Sequence, residues 1–308
     1  MKVDNVLVLG GSGFVGRHLV NALAERAIGV TVPTRHRERA KRLLPLPTVD
    51  VVERDVLASG ALEALARGKQ AIVNLVGILH GDFERVHVGL PRAVVAACRA
   101  QGVTRLVHLG ALGASSSAPS DYLRSKAKGE QLVMAASELD VTVFRPSVIF
   151  GPEDSFLNTF ACLARVFPVL PLASPNARFK PVYVGDVARA ICHALGDRET
   201  HGKAYDVCGP REYTLRELVE LVGRVTGRSR AIIGLPERLS YLQAWVMEKL
   251  PGKLLTRDNL RSMQVPNVCA GRFPFGMQPQ AMEAMTPGYL APSGPRERYP
   301  RLRWRARR

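Results

Sequence analysis

Tyr122 and Lys126 are the side chains in this sequence best suited to proton chemistry. They stand four residues apart in Tyr122-Leu-Arg-Ser-Lys126, which opens a run that reads as helix, so both project from one helical face. A lysine ammonium near a phenol favours the phenolate and brings tyrosine into use as an acid or base near neutral pH. In an arbitrary helix the same spacing means nothing, so its weight depends on the elements before it. The first of these is Val6-Leu-Val-Leu-Gly10-Gly-Ser-Gly-Phe-Val-Gly16. It reads as a buried strand over Val3–Leu9, a glycine turn and the start of a helix with Phe14, Val15, Leu19, Val20 and Leu23 on its apolar face.

Gly10, Gly13 and Gly16 have the G-x-x-G-x-x-G spacing of a dinucleotide turn. Gly10 allows the tight turn, Gly13 lets a pyrophosphate approach the backbone, and Gly16 lets the helix lie close to the strand. Free N–H groups from Ser12 through Phe14 and Val15 would then hold the phosphates at the helix N-terminus.

Alternating units follow, and they position the remaining candidates. Strands are expected over Gly29–Pro33, Val49–Glu53, Ala71–Val76, Arg105–Leu109 and Val141–Arg145. Helices are expected over the basic stretch of Arg37, Arg39, Lys41 and Arg42, then over about 61–67, 83–101 and 120–137. Such β-α repetition specifies an α/β, Rossmann-like, doubly wound parallel sheet with ligands at the carboxyl edge of its strands. The expected organisation is a dinucleotide domain over 1–150, a small intertwined α/β lobe over 151–285, and a basic Pro/Gly/Arg-rich tail over 286–308. In the lobe, Phe179–Val184 reads as a strand and Asp186 as the cap of a helix over Val187–Leu195. Thr214-Leu-Arg-Glu217 reads as a capping box, and Thr256-Arg-Asp-Asn as the cap of a shorter helix. Leu239, Leu242, Trp245, Val246 and Leu250 form one helical stripe, read as core.

The second strand ends in Pro33-Thr34-Arg35, without the acid that grips the ribose 2′-hydroxyl of NAD. Arg35, with Arg37 behind it, suits a 2′-phosphate, so NADPH is expected ahead of NADH; a solvated basic helix start is the plainer reading. Asp55, with Val56, is placed to meet the adenine ring. Asn74, Val76 and Gly77 end the fourth strand beside the cofactor ribose, Leu109 ends the fifth, and Pro146, Ser147 and Val148 follow the sixth. His80, His87, His108, His193 and His201 have no metal-ligand spacing, and no metal is expected.

Lys and Arg outnumber Asp and Glu by 43 to 27, a net charge of +16, which favours anionic partners and says nothing of fold. The five cysteines form no C-x-x-C pair and read as scattered free thiols of a reducing compartment. The N-terminal strand and glycine turn leave no apolar signal region, and no run approaches the ~20 apolar residues of a membrane span. A cytoplasmic location is therefore expected. Arg296, Arg298, Arg301, Arg303, Arg305, Arg307 and Arg308, with Tyr299 and Trp304, suit an anionic membrane surface; a solvated tail is the alternative. No RNA-binding motif accompanies the charge, and no nucleic-acid partner is expected.

The glycine turn with Tyr122 and Lys126 resembles the short-chain dehydrogenase/reductase superfamily, in its extended or atypical form. Asn74-Leu-Val-Gly-Ile-Leu79, Tyr122–Ala127, Arg145-Pro-Ser-Val-Ile-Phe-Gly151, Glu153–Asn158 and Pro181-Val-Tyr-Val-Gly-Asp186 are more specific. Together they resemble the nucleotide-binding accessory subunits of respiratory complex I (alpha-subcomplex subunit nine) and their bacterial relatives, over about 1–261. That resemblance implies a tightly held NADPH, complex I or quinone-biosynthesis proteins as partners, and a place at the inner face of a bacterial membrane or the mitochondrial matrix side. It also implies that Ser147 and Val148 meet the nicotinamide. Active members of the superfamily place a Ser or Thr after the fifth strand to polarise a substrate carbonyl; here the chain reads Gly110-Ala111-Leu112, with Ser115, Ser116 and Ser117 only in the loop beyond. Loss of such a donor costs ~10²–10³-fold in catalysis. Three functions stay open: a structural or sensing NADPH-binding protein, an NADPH-dependent reductase of a quinone or carbonyl, and a nucleotide-sugar epimerase or dehydratase.

Overall fold

Short aliphatic runs flanked by turn residues become the strands of a central sheet in the computed structural model, which describes residues 3–249 and 254–291. The first half contains β1 (Asn5–Leu9), α1 (Phe14–Ala24), β2 (Gly29–Thr34), β3 (Val49–Glu53), α2 (Ala61–Ala66), β4 (Ala71–Asn74), α3 (Leu90–Gln101), β5 (Arg105–Leu109), α4 (Asp121–Met134) and β6 (Asp140–Pro146). The second half contains β7 (Ile149–Phe150), α5 (Ser155–Val166), β8 (Val169–Leu172), β9 (Arg178–Phe179), β10 (Val182–Tyr183), α6 (Val184–Gly196), β11 (Lys203–Val207), β12 (Tyr213–Thr214), α7 (Leu215–Thr226), β13 (Ala231–Gly234), α8 (Glu237–Met247) and α9 (Arg257–Ser262). Short helices α10 (Met282–Met285) and α11 (Pro287–Leu290) follow.

Seven strands form one sheet in the order β11-β6-β5-β4-β1-β2-β3, every pairing parallel. The central strands are buried on both faces, which is why they are rich in aliphatic residues, whereas the edge strands β3 and β11 are partly exposed. One core layer joins Val6, Val8, Leu19 and Leu23 to Val187 and Ile191 of α6; the other joins Leu7, Leu9, Ile72 and Leu106 to Leu90 and Val94 of α3. α6 and β11 thus return from the second half of the chain to complete the first layer. A separate core forms from α5, α7, the two-stranded pairs and Leu290.

Several expectations are corrected. The basic stretch after β2 makes only a single 3-10 turn, Arg37–Ala40, because Arg37 Nη1 turns back to donate to Val51 O at 3.2 Å. β4 stops at Asn74, whose Oδ1 accepts from Val76 N and bends the chain out of the sheet. The helix expected from Phe83 begins as a π turn, Glu84–Gly89, before α3. Asp186 is not a cap: α6 starts at Val184, and the buried Asp186 carboxylate pairs with Arg189 and accepts from Gln280 N at 2.6 Å. The stripe of α8 faces outward, with Leu239, Leu242, Trp245 and Val246 each 46–54% exposed. The inner face of that helix is Ser240 and Ala244, small enough to seat it against Ala173 and Leu260. The five cysteines are not all free thiols: Cys208 and Cys269 are bonded to each other, while Cys98 and Cys192 are buried thiols and Cys162 is exposed. Leu250 and the arginine-rich stretch from Arg296 lie outside the described residues.

Arg105 stitches the return crossing to the sheet. Fully buried, it donates to Asp140 O, Thr142 Oγ1, Ala194 O and Thr200 Oγ1 at 2.6–3.0 Å, and burial pushes its pKa down to about 10. Arg105→Met strands several buried acceptors at a cost of ~1–3 kcal/mol each. Urea denaturation of that variant should show a loss of about 3 kcal/mol or more; a loss below about 1 kcal/mol would mean that Arg105 does not hold α6 to the sheet.

Candidate functional site

Every candidate from the sequence falls at the carboxyl end of a sheet strand or on the segment that follows it. After β1 the chain turns at Gly10 (φ +79°), and Gly13 N donates to Gly10 O at 2.9 Å. Gly16 then lies so close to the turn that a Cβ there would sit 2.2 Å from Gly10 O and 2.5 Å from Gly11 Cα. No side chain other than glycine fits, and the N-terminus of α1 is thereby held directly above the strand. Gly13, the N-cap, is exposed, and α1 has no side-chain cap bond and no acid in its first turn. The backbone amides of that turn, with half-buried Ser12, Phe14 and Val15, are therefore available to an anion, and the helix dipole favours one. This cradle fits a dinucleotide pyrophosphate.

Neighbouring loops converge on it. A Cβ on Gly10 would touch Leu75 C and Val76 N at 3.3 Å, so the β1 and β4 loops are adjacent. Ser12 Oγ reaches Thr34 Oγ1 at 3.5 Å, joining the β1 and β2 loops. Arg35 is exposed beside that contact, with no ion pair among the described residues. Arg37 is committed to β3. Asp55 Oδ1 accepts from Leu57 N at 3.0 Å, shaping the loop that carries Val56 against the same core layer that Val76 packs on.

The second cluster surrounds Lys126. Its Nζ donates to Leu109 O at 2.9 Å and lies 3.3 Å from where a Gly77 Cβ would stand. Ser120 caps α4 by accepting from Leu123 N, and Asp258 of α9 accepts from Asp121 N and Tyr122 N at 2.8 and 3.0 Å. Tyr122 sits edge-on to Phe83 and His87, with ring centroids 6.1 and 5.6 Å away. Its hydroxyl has no hydrogen-bond partner among the described residues and does not meet Lys126, which turns toward Gly77 and Leu109. The expected phenolate is consequently not favoured: burial pushes Tyr122 up to about 12. Burial also lowers Lys126 to about 8, against the opposing charge of Glu130.

Where a catalytic hydroxyl would follow β5, Ala111 is buried against Leu123 and Tyr122. Ser115, Ser116 and Ser117 are exposed in the loop, and the Ser115 and Ser117 hydroxyls bond each other at 3.0 Å, so they do not replace it. Pro146 is buried at the end of β6 and Ser147 just after it, with Val148 beside them. A cavity of about 300 Å³ opens beyond Phe83, between Leu79, Lys249 and Asp258. Three contributors are beyond sequence pattern. The π turn presents His87, whose Nδ1 lies 2.8 Å from Ser125 Oγ and whose Nε2 accepts from Ile78 N. Asn267 bonds Ser147 from 120 residues away, and Asp258 reaches α4 from 137 residues away. Gly129 was the available signal for His87: a Cβ there would stand 2.0 Å from His87 O, so only glycine lets α4 meet the π turn. No group of metal-ligating side chains occurs among the described residues.

Residues 6–208 match the family model described as the NAD dependent epimerase/dehydratase family. The chain is 32% identical over 299 residues to NADH dehydrogenase [ubiquinone] 1 alpha subcomplex subunit 9, mitochondrial, of Mus musculus, covering 90% of this chain and 77% of the relative. It is 32% identical over 241 residues to a ceramide reductase of Caulobacter vibrioides, covering 75% and 74%. Among solved structures, a dTDP-glucose 4,6-dehydratase from Streptomyces venezuelae with NAD bound superposes with a TM-score of 0.71 over 97% of this chain and 98% of that one, at 21% identity. That last likeness is one of fold.

Burial depresses His87 and His108 to about 3, aided by the Lys126 charge. Both are neutral in the folded protein near neutral pH. Their folded pKa lies below the unfolded value, so the unfolded chain takes up protons first on acidification. Stability should fall as pH drops from about 6.5 toward 3, by ~1.4 kcal/mol per pH unit for each histidine. Thermal melting of wild type and His108→Asn between pH 7 and 5 tests this: the variant should have the shallower slope, and equal slopes would contradict the assignment.

Proposed function

The chain belongs to the NAD dependent epimerase/dehydratase family and is homologous to complex I alpha subcomplex subunit 9 proteins and to ceramide reductase; from that premise we propose that it holds NADPH tightly and serves as a nucleotide-loaded component of a respiratory membrane complex or of quinone metabolism. The observation that carries this reading is Ala111, buried in the small apolar cluster that Tyr122 packs against, in place of a carbonyl-polarising hydroxyl. A site lacking that donor, with a phenol raised to about 12, is better suited to holding a nucleotide than to turning over a substrate.

Gly10, Ser12, Gly13, Phe14, Val15 and Gly16 would hold the pyrophosphate. Arg35, with Arg37 behind it, would face the 2′-phosphate; Asp55 and Val56 would flank the adenine. Asn74, Val76, Gly77 and Leu109 would line the ribose and nicotinamide channel. Lys126 and Tyr122 would bond the nicotinamide ribose, with Pro146, Ser147 and Val148 against the nicotinamide. NADPH is preferred because the exposed Arg35 guanidinium has no ion pair with an acid among the described residues. The partner would be a respiratory complex I assembly or proteins of quinone biosynthesis; relatives named NADH dehydrogenase alpha subcomplex subunit 9 and NADH-ubiquinone oxidoreductase 40 kDa subunit support the first. No helix of the described residues is long and apolar enough to cross a membrane, so attachment would be peripheral.

A second reading, an NADPH-dependent reductase of a quinone or other carbonyl, is favoured by the cavity beside Phe83 and by relatives named as a ceramide reductase and a farnesyl-dihydroquinoline oxide ketoreductase. In that case NADPH, when bound, would be the source of hydride; Tyr122 would donate the proton, and the Lys126 charge nearby would lower the tyrosine's pKa.

Equilibrium titration with both nucleotides tests the first reading. Wild type should prefer NADPH, and Arg35→Ala should weaken NADPH binding by about tenfold or more while leaving NADH unchanged. Equal affinities that are indifferent to Arg35 would overturn the NADPH assignment. Steady consumption of NADPH with a quinone or carbonyl, abolished in Tyr122→Phe with binding intact, would establish the second reading.

A further inference from the structure

A strap of chain over residues 256–269 crosses the carboxyl edge of the sheet and fastens the site's loops together. At its start Asp258 seats the N-terminus of α4, which carries Tyr122. Val265 then packs beside Tyr122 and Ala111. Asn267 follows: its Oδ1 accepts from Ser147 Oγ at 2.6 Å and from Val148 N at 3.0 Å, and its Nδ2 donates to Leu112 O at 3.4 Å. Its backbone is held by Arg178 O and Lys180 N. Two residues later Cys269 is bonded to Cys208, which immediately follows β11. That bond is the strap's sole covalent tie to the sheet among the described residues. Its other attachments are hydrogen bonds, apolar contacts and the ion pairs of Arg257 with Glu248 and Arg261 with Asp121, all at its start and away from Asn267.

On the reading that Ser147 and Val148 meet the nicotinamide, we propose that Cys208 and Cys269 form a thiol–disulfide latch on the nucleotide site. With the disulfide closed, Asn267 stays against Ser147 and Val148 and the bound nucleotide is retained. A dithiol reductant opens it: its first thiolate breaks the Cys208–Cys269 bond and forms a mixed disulfide with one cysteine, its second thiolate breaks that bond in turn, both cysteines end as thiols with two electrons and two protons gained, and the reductant leaves as its own disulfide. The strap end is then held only by bonds that each contribute about 1 kcal/mol, and loses the chain restriction that made them persistent.

The geometry suits a latch in three respects. The cysteines lie 61 residues apart in sequence, so closing them restricts a long loop that contains the whole strap. Both sulfurs are buried, but Ala270 and Gly271 on one side and Pro210 on the other are exposed, so local fraying admits a small thiol. The remaining buried thiols do not compete, because burial pushes Cys98 up to about 12 and Cys192 to about 11. Cys162 alone is exposed, on α5.

The test uses the full chain with Cys162→Ser, oxidised or reduced with dithiothreitol. Hydrogen exchange at the Val148 amide, measured without nucleotide, reads the strap directly. The NADPH dissociation rate reads its consequence. Reduction should raise both by about tenfold. Cys208→Ser should match the reduced protein under either condition, and Asn267→Ala should exchange quickly even when oxidised. If Cys208→Ser folds poorly, the oxidised and reduced forms of the parent chain still give the comparison. Equal Val148 exchange in the two redox forms would overturn the latch. Failure to bind NADPH in either form, with Val148 exchange still redox-dependent, would overturn the nucleotide assignment and leave the latch standing.

Discussion

The contact between Gly16 and Gly10 is the constraint on which the rest of the molecule depends. With no side chain at either position, the first helix can begin directly above the end of the first strand, where a single Cβ would overlap the Gly10 carbonyl at 2.2 Å. That approach points the free amides of α1 at the sheet's carboxyl edge and gives the site its positive end without any charged side chain. The same edge receives the ends of all neighbouring strands because every pairing in the sheet is parallel. Sheet direction therefore brings together residues as distant as Gly10, Lys126 and Ser147.

Burial, more than charge pairing, governs the chemistry at that edge. Lys126 has its ammonium on the Leu109 carbonyl, flanked by neutral His87 and His108, and its own pKa falls to about 8. Tyr122 is raised because its ring lies among Phe83, His87 and Ala111, while its hydroxyl finds no partner among the described residues. A bound ribose would change this balance by giving both groups hydroxyl partners. The arrangement favours a site organised by its nucleotide, in which the protein groups take up their working geometry only around the ligand.

Much of this was legible in the sequence, for identifiable reasons. β3 and β5 have their expected limits, β2 runs one residue further at its end and β6 one residue further at each end, because buried parallel strands are written as aliphatic runs between turn residues. The capping box at Thr214 and Glu217 is present as its spacing predicts, since caps are local. Nonlocal features were hidden. Lys203–Val207 joins the main sheet although its residues are only partly aliphatic, because pairing with β6 leaves it at the edge. The outward stripe of α8 follows a helical period correctly, but period does not say which side the neighbouring helix takes. The Cys208–Cys269 bond and the Asn267 clamp depend on a strap crossing, and no spacing in the chain encodes where a strap crosses.

The central claim is that backbone amides and Arg35 at this edge retain a phosphorylated dinucleotide. Native mass spectrometry of the protein isolated from its own cells under oxidising conditions tests it most directly. The account predicts a bound mass equal to NADPH at near one per chain, lost on denaturation. Protein that emerges without nucleotide and takes up neither NADPH nor NADH at millimolar concentration would contradict it.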